Sequence, residues 1–240
     1  MIELKKVGAF QKSVNAIASF IAEGNFRFSS TGLSFKAIDP SQIVLVNFSM
    51  PKGAFDKYDI EPSLVGIDLV EMNRIVGRAL PNDKLKMDIS DSEMLVELEG
   101  EMNRAFRLPL LDIQEDEVQI PVTKFDVKLS IPARALKEAL KDAALFGSSV
   151  VISVKGNQFW MEARGSQGTL KTVAKETANI LSKSDSEVVS KYSLNFLQNM
   201  VKDVDPETLV TLEFKSDAPM KVSYKMNDCS LEFHLAHMIL

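Results

Sequence analysis

The second half of this 240-residue chain repeats the first at a displacement of about 125 residues, so one supersecondary unit occurs twice. Leu69, Met72, Ile75, Val76 and Pro81 recur as Leu194, Leu197, Met200, Val201 and Pro206. The match continues through Leu85 and Met87 against Val210 and Leu212, and through Phe106, Leu108 and Leu110 against Leu231, Phe233 and Leu235. An earlier block, Phe26, Phe28, Gly32 and Phe35 against Val150, Ile152, Gly156 and Phe159, fits at a displacement of 124. A tandem of two similar domains is the only architecture that uses such a pattern economically, and it makes pseudosymmetry available for a larger assembly.

The predicted elements follow the same period. Phe10, Val14, Ile17 and Ile21 stand at helical spacing, so 9–22 is read as an amphipathic helix whose polar face carries Gln11, Lys12, Asn15 and Ser19. Strands are expected at 26–28, 33–37 and 43–50, then a helix at 69–80 ended by Pro81, then strands at 84–90, 93–99 and 103–110. The second half gives a helix at 133–146, strands at 148–154, 157–163, 168–175 and 187–192, a helix at 193–203, and strands to the end. The expected fold is α+β, with two similar domains of antiparallel sheet and two helices each. Domains at 1–110 and 126–240 are joined by 111–125, which holds four acids, a proline and no clean periodicity. Val118, Ile120 and Pro121 leave apolar groups on this connector, as a docking surface would.

Several function classes are excluded at this level. The single Cys229 rules out an internal disulfide and fits a reducing compartment. Met1 leads straight into an amphipathic strand, and no apolar run approaches a membrane span, so a soluble cytoplasmic protein is expected. His234 and His237 sit at the C-terminal end near Asp228 and Cys229, but on a strand they point to opposite faces and no further cluster completes a metal set. No glycine-rich phosphate loop and no nucleophile with a nearby histidine base occurs, so neither catalysis nor a metal or cofactor is expected.

A net charge of −5 argues by itself against a nucleic-acid binder, and its distribution answers the objection. The helix at 133–146 places Arg134, Lys137 and Lys141 along one stripe and Glu138 and Asp142 along the next, with Leu136, Leu140 and Ala144 facing inward. Arg74 and Arg78 stand four apart on the second helix, Lys12 lies on the first and Lys202 on the last. Four helices with outer cations, at related places in both repeats, would offer one surface that binds phosphate backbone without reading sequence.

At this point the chain resembles the archaeal-type PCNA family, the sliding clamps of DNA replication, over essentially its whole length. The stretch Gly32-Leu33-Ser34-Phe35-Lys36-Ala37-Ile38-Asp39-Pro40-Ser41-Gln42-Ile43-Val44-Leu45-Val46 is similar to the family's central-loop signature. Val118-Gln119-Ile120-Pro121 resembles its interdomain connector, and Leu235-Ala236-His237-Met238-Ile239 its C-terminal tail.

The resemblance implies a trimeric ring, either a homotrimer or a heterotrimer of related subunits, with helices lining a hole that duplex DNA threads. DNA-facing cations would be Lys12, Arg74, Arg78, Lys137, Lys141 and Lys202, while Ser19 stands where a lysine is common. The joint between subunits would pair 104–110 of one copy with 168–174 of the next. Phe106, Arg107 and Leu108 on one side would meet Ala143, Phe146 and Leu170 on the other, with Arg107 toward Glu138 and Asp142. DNA polymerase, clamp loader, flap endonuclease and DNA ligase would dock through short peptides carrying a glutamine and a hydrophobic plug. Their pocket would be lined by Ile38, Ile43 and Leu45, by Val118, Ile120 and Pro121 of the connector, and by Pro219, His234, Ala236 and Ile239. His234 replaces a usual aromatic and His237 the tail proline, which puts an imidazole in each place and frees the tail backbone. The alternative to a ring is a diverged scaffold of the same fold that docks clients without encircling DNA.

Overall fold

The computed structural model describes residues 1–114, 118–120, 122–182, 184 and 186–240. Contacts divide the chain into two compact units. The first comprises Met1–Gln42, Val46–Gln119 and Met226–Leu231; the second comprises Ile43–Leu45, Ile120–Lys225 and Glu232–Leu240.

In the first half the elements are β1 (Ile2–Leu4), α1 (Gly8–Ala18), β2 (Glu23–Ser29), β3 (Gly32–Ile38), β4 (Val44–Pro51), β5 (Lys57–Tyr58), β6 (Ser63–Asp68), α2 (Leu69–Val76), β7 (Lys84–Ile89), β8 (Glu93–Glu99) and β9 (Arg104–Pro109). The second half runs β10 (Val127–Pro132), α3 (Ala133–Ala144), β11 (Ser149–Lys155), β12 (Gln158–Gly165), β13 (Gly168–Ala174), β14 (Asn179–Ser182), β15 (Val188–Ser193), α4 (Leu194–Val201), β16 (Leu209–Phe214), β17 (Met220–Met226) and β18 (Cys229–Leu235). Apart from a 3-10 turn at Lys52–Ala54 in the first half, the two orders are the same. In the first unit strands run β5-β1-β7-β8-β9 in one sheet and β6-β2-β3-β4 in another; in the second, β14-β10-β16-β17-β18 and β15-β11-β12-β13 repeat both orders.

The early repeat block is in a different register from the one expected. Phe26 pairs with Phe35 and Phe28 with Leu33, as Ile152 pairs with Met161 and Val154 with Phe159. The displacement there is therefore 126, and Gly32 corresponds to Gln158 rather than Gly156. A slip of two residues keeps every side chain on its own face, so hydrophobic pattern alone does not register it.

Alternation makes the sheets. β8 buries Met94, Val96 and Leu98 on one face and leaves the intervening residues half-exposed, and β16 does the same with Val210, Leu212 and Phe214. The helices bury their inner stripes as well: Phe10, Val14 and Ile17 of α1, Leu69, Met72 and Val76 of α2, and Leu136, Ala139, Leu140 and Ala143 of α3. Ala144, expected inside, is exposed, because the seventh residue after Leu136 closes two helical turns and that residue is Ala143. α1 stops at Ala18 rather than 22, since Ala22 already accepts a hydrogen bond from Leu69 as the chain turns into β2. α2 stops at Val76 because Gly77 caps it, its N–H donating to Asn73, four residues before Pro81 is reached. Its start is fixed by Asp68, whose side chain accepts from the Glu71 N–H at 2.9 Å.

Candidate nucleic-acid and partner surfaces

In each unit the two helices are tied by a polar bond. Asn73 of α2 donates to Asn15 of α1 at 3.0 Å, and Gln198 of α4 donates to the Leu140 carbonyl of α3 at 3.3 Å. This leaves the outer faces to the cations. The helices carry Lys12, Arg74, Arg134, Lys137 and Lys141 against Glu71, Glu138 and Asp142, an excess of positive charge in a chain of net charge −5. Arg74, Arg78, Lys141 and Lys202 are exposed and Lys12 is half-buried. Two of them share their charge with an acid one turn away: Arg74 with Glu71 at 2.6 Å, and Lys141 with Glu138 at 2.7 Å.

Lys137 has a different role. Its Nζ donates to the carbonyls of Lys202 at 2.9 Å and Val204 at 2.6 Å, satisfying acceptors at the C-terminal end of α4. The expected DNA-facing group is thus engaged as a brace between α3 and the end of α4. The cations also do not recur at equivalent places. Buried Phe10, Ser13, Val14 and Ile17 correspond to Leu136, Ala139, Leu140 and Ala143, which sets Lys12 opposite Glu138; Arg74 and Arg78 correspond to Asn199 and Asp203. The two units carry positive charge on the same kind of helical face at different residues.

Two sheet edges bear on assembly. β9 ends the five-stranded order of the first unit and β13 the four-stranded order of the second. On β9, Phe106 is half-buried while Leu108 is buried at 4% exposure. On β13, Leu170, Thr172 and Ala174 are half-buried and alternate with exposed Thr169, Lys171 and Val173. Both edges thus carry incompletely covered residues on one face. Phe146 lies against the start of β13: a Cβ placed on Gly165 would sit 1.7 Å from the Phe146 carbonyl oxygen, and one on Gly168 would sit 3.2 Å from the Phe146 ring. Ala143, expected at the same joint, is 0% exposed within its own unit and has no surface to offer. Arg107 forms an ion pair with Glu93 across its own sheet, and Glu138 is occupied by Lys141.

The pocket residues fall into two groups. Ile38 and Val118 belong to the first unit, where Ile38 is 44% exposed at the end of β3 and the Val118 carbonyl accepts from Lys36 at 3.1 Å. Segment 111–114 is held there as well: the Leu111 N–H donates to Gly66, and Asn25 donates to the Ile113 carbonyl at 3.1 Å. Position 66 must be glycine, since a Cβ would stand 2.2 Å from the Leu111 oxygen. Asp39, only 6% exposed, shapes the signature turn by accepting from the Ser41 N–H, and Gln42 takes the left-handed conformation at φ 57°.

Ile43, Leu45, Ile120, Pro219, His234, Ala236 and Ile239 belong to the second unit. Leu45 is buried at 6%, Ile43 and Ile120 are half-buried, and Pro219 and Ile239 are exposed. His234 is buried at 7% with Nε2 2.9 Å from the Glu232 carboxylate, which itself lies 3.9 Å from Lys221. Pro121 lies outside the described residues. Pattern reading did not single out Tyr192, whose hydroxyl donates to the Ala218 carbonyl at 2.8 Å and fixes the turn that presents Pro219. It also passed over Lys191, which holds the tail. A buried aromatic near the end of an alternating strand signals core, and only the paired turn shows the second use of its hydroxyl.

Among the described residues no three His, Cys, Asp or Glu side chains gather as a metal set, and no helix is long and apolar enough to cross a membrane. Residues 1–119 match the family model of the proliferating cell nuclear antigen N-terminal domain, and residues 119–239 that of its C-terminal domain. DNA polymerase sliding clamp 1 of Thermococcus kodakarensis is 31% identical over 223 residues, spanning 91% of this chain and 90% of its own length. The crystal structure of PCNA from Thermococcus kodakaraensis superposes with a TM-score of 0.93 at 26% identity, covering 99% of both chains. The structure of A. fulgidus PCNA bound to the C-terminal region of FEN-1 superposes with a TM-score of 0.89 at 22% identity, covering 100% of this chain and 99% of that one. Matched by both domain models in succession and by a full-length relative, this chain belongs to the PCNA family of DNA polymerase sliding clamps.

Proposed function

We propose that three copies of this chain close into a ring around duplex DNA and tether polymerase and other replication and repair enzymes to it. The observation that carries the reading is the pair of terminal strands, β9 in one unit and β13 in the other, in two units of identical strand order. A head-to-tail contact between unlike edges propagates from copy to copy, and a ring is the closed form that leaves none of them open. Phe106 and Leu170 are the half-buried apolar groups such a joint would cover, with Phe146 beside them. Arg107 would exchange Glu93 for Glu138 or Asp142 of the next copy. The domains are 1–110 and 126–240, with 111–125 as the connector.

In the ring the helices face the DNA. Lys12, Arg74, Arg78, Lys141 and Lys202 would meet phosphates without reading bases, and several such contacts give a weak, salt-dependent attraction that permits sliding. Retention is topological, so the chain needs no catalytic group: it raises the effective concentration of an enzyme at its substrate. The FEN-1 segment on the A. fulgidus relative supports a flap endonuclease as one client. Ile43, Leu45, Ile120, Pro219, His234, Ala236 and Ile239 of the second unit remain the proposed surface for client peptides. Native mass spectrometry at micromolar concentration tests the assembly. The expected species is near 80 kDa, three times the 26.6 kDa chain, with Phe106→Glu and Leu170→Glu monomeric. A wild-type monomer throughout would overturn a self-closing ring.

A further inference from the structure

Residues 236–240 follow β18 outside any helix or strand, where backbone is ordinarily left to solvent. They are instead held at successive points within the second unit. The Ala236 N–H donates to the Ile43 carbonyl at 2.9 Å, and the Met238 N–H to the Lys191 carbonyl at 2.7 Å. The Lys191 ammonium then reaches the Ile239 carbonyl at 3.2 Å. Met238 and Lys191 form an isolated antiparallel bridge, so the tail lies beside β15, the last strand of its sheet order. Held this way, Met238, Ile239 and Leu240 are 39%, 90% and 58% exposed. A backbone fixed at three points while its apolar side chains stand in solvent is a presented surface, not packing.

The repeat isolates what Lys191 adds. Its counterpart 125 residues earlier is Gly66, which also forms a single bridge to a chain leaving a five-stranded sheet, at Leu111. Gly66 offers only backbone, and there a side chain would strike the Leu111 carbonyl. At the equivalent place in the second unit stands a side chain long enough to bond one residue beyond the bridge.

We infer that Lys191 is a positioning residue for client peptides: it clamps the tail against β15 and so sets where Ala236 and Ile239 stand in the partner surface. The inference rests on the proposed docking of client peptides at that surface. It also assigns the tail a fixing element from the body of the protein, independent of His237, which stands where the family has proline.

The test uses the full chain and a fluorescein-labelled peptide of the C-terminal region of a flap endonuclease. Lys191→Met keeps the stem and removes the donor, and is expected to weaken the peptide about fivefold to tenfold, the loss of one solvent-exposed hydrogen bond. Lys191→Arg is expected to restore affinity to within about twofold, since it again offers a cationic donor. Melting temperature should not separate the three proteins, whereas hydrogen exchange at the Met238 amide should quicken in Lys191→Met alone. In a chain lacking 237–240, Lys191→Met should have no further effect on the peptide. Unchanged peptide affinity in Lys191→Met, or an equal loss in the truncated chain, would overturn the inference. If wild type does not bind the peptide, the docking reading fails; the clamp is then judged by exchange alone, and an unchanged Met238 amide overturns it.

Discussion

Replacing Lys137 by Met keeps the aliphatic stem along α3 and removes the ammonium that joins it to the end of α4. The two carbonyls released, of Lys202 and Val204, differ in setting: the bond to Lys202 is exposed and that to Val204 part-buried. Water can replace the first donor at little cost. The second leaves an acceptor with poorer access to solvent at the negative end of the α4 dipole, and hydrogen bonds to charged groups contribute about 1.5–3 kcal/mol. A net loss of about 2 kcal/mol lowers the melting temperature of a chain this size by about 4–8 °C. Calorimetry at fixed protein concentration reads it, since assembly couples to stability. Lys141→Met is the contrast: its pair with Glu138 is exposed, at 66% and 68%, and worth about 0.3–0.5 kcal/mol, so melting should move by less than about 2 °C. DNA binding should respond in the opposite order, with the salt dependence shallower by about one phosphate contact per copy in Lys141→Met and unchanged in Lys137→Met. A Lys137→Met protein that melts with wild type, or that loses the salt slope instead, refutes the brace.

Tyr224→Phe should cost about 1–2 kcal/mol by urea denaturation, because the Tyr224 hydroxyl is buried and donates to the Met200 carbonyl at 2.7 Å. Burial pushes the Cys229 thiol up to about 11, opposed by a hydrogen bond with Ser13, so iodoacetamide at pH 8 should leave the native chain unlabelled and modify it in urea. Glu3 is held below its ordinary value of 4.5 first by the hydrogen bond from Lys84, at 2.6 Å. Its contribution is therefore complete above pH 4.5 and is lost as pH falls through the lowered value, and Glu3→Gln should flatten the fall in melting temperature below pH 4.5.

What the sequence disclosed and what it hid follow from the range of each interaction. Helix positions and the long alternating strands were legible because burial repeats every 3.6 or 2 residues, and β8 at Glu93–Glu99 has the expected bounds. β5, β10 and β14 were not read: two residues, a strand running straight into a helix, and four residues of polar surroundings give periodicity too little length. β6 was missed although β15, 125 residues later, was read, so the repeat itself held the signal. The cations were legible as residues of helical outer faces, but not the commitment of Lys137, because its acceptors lie more than 60 residues away in sequence. Ala143 and Ala144 differ by one step of 100° around the helix, enough to exchange inside for outside. Arg107 shows the same limit on a sheet: its partner Glu93 is set by the β8–β9 register, with Glu93 opposite Pro109.

The central claim is that retention on DNA is topological, and loading the clamp on nicked circular DNA before cutting the circle tests it most directly. The account predicts that wild type stays on the closed circle through a high-salt wash and leaves when one restriction cut linearises it. Phe106→Glu should not be retained on either form. Retention that is equal on circular and linear DNA, and that follows salt alone, would contradict the ring and leave a protein that binds DNA by adhesion.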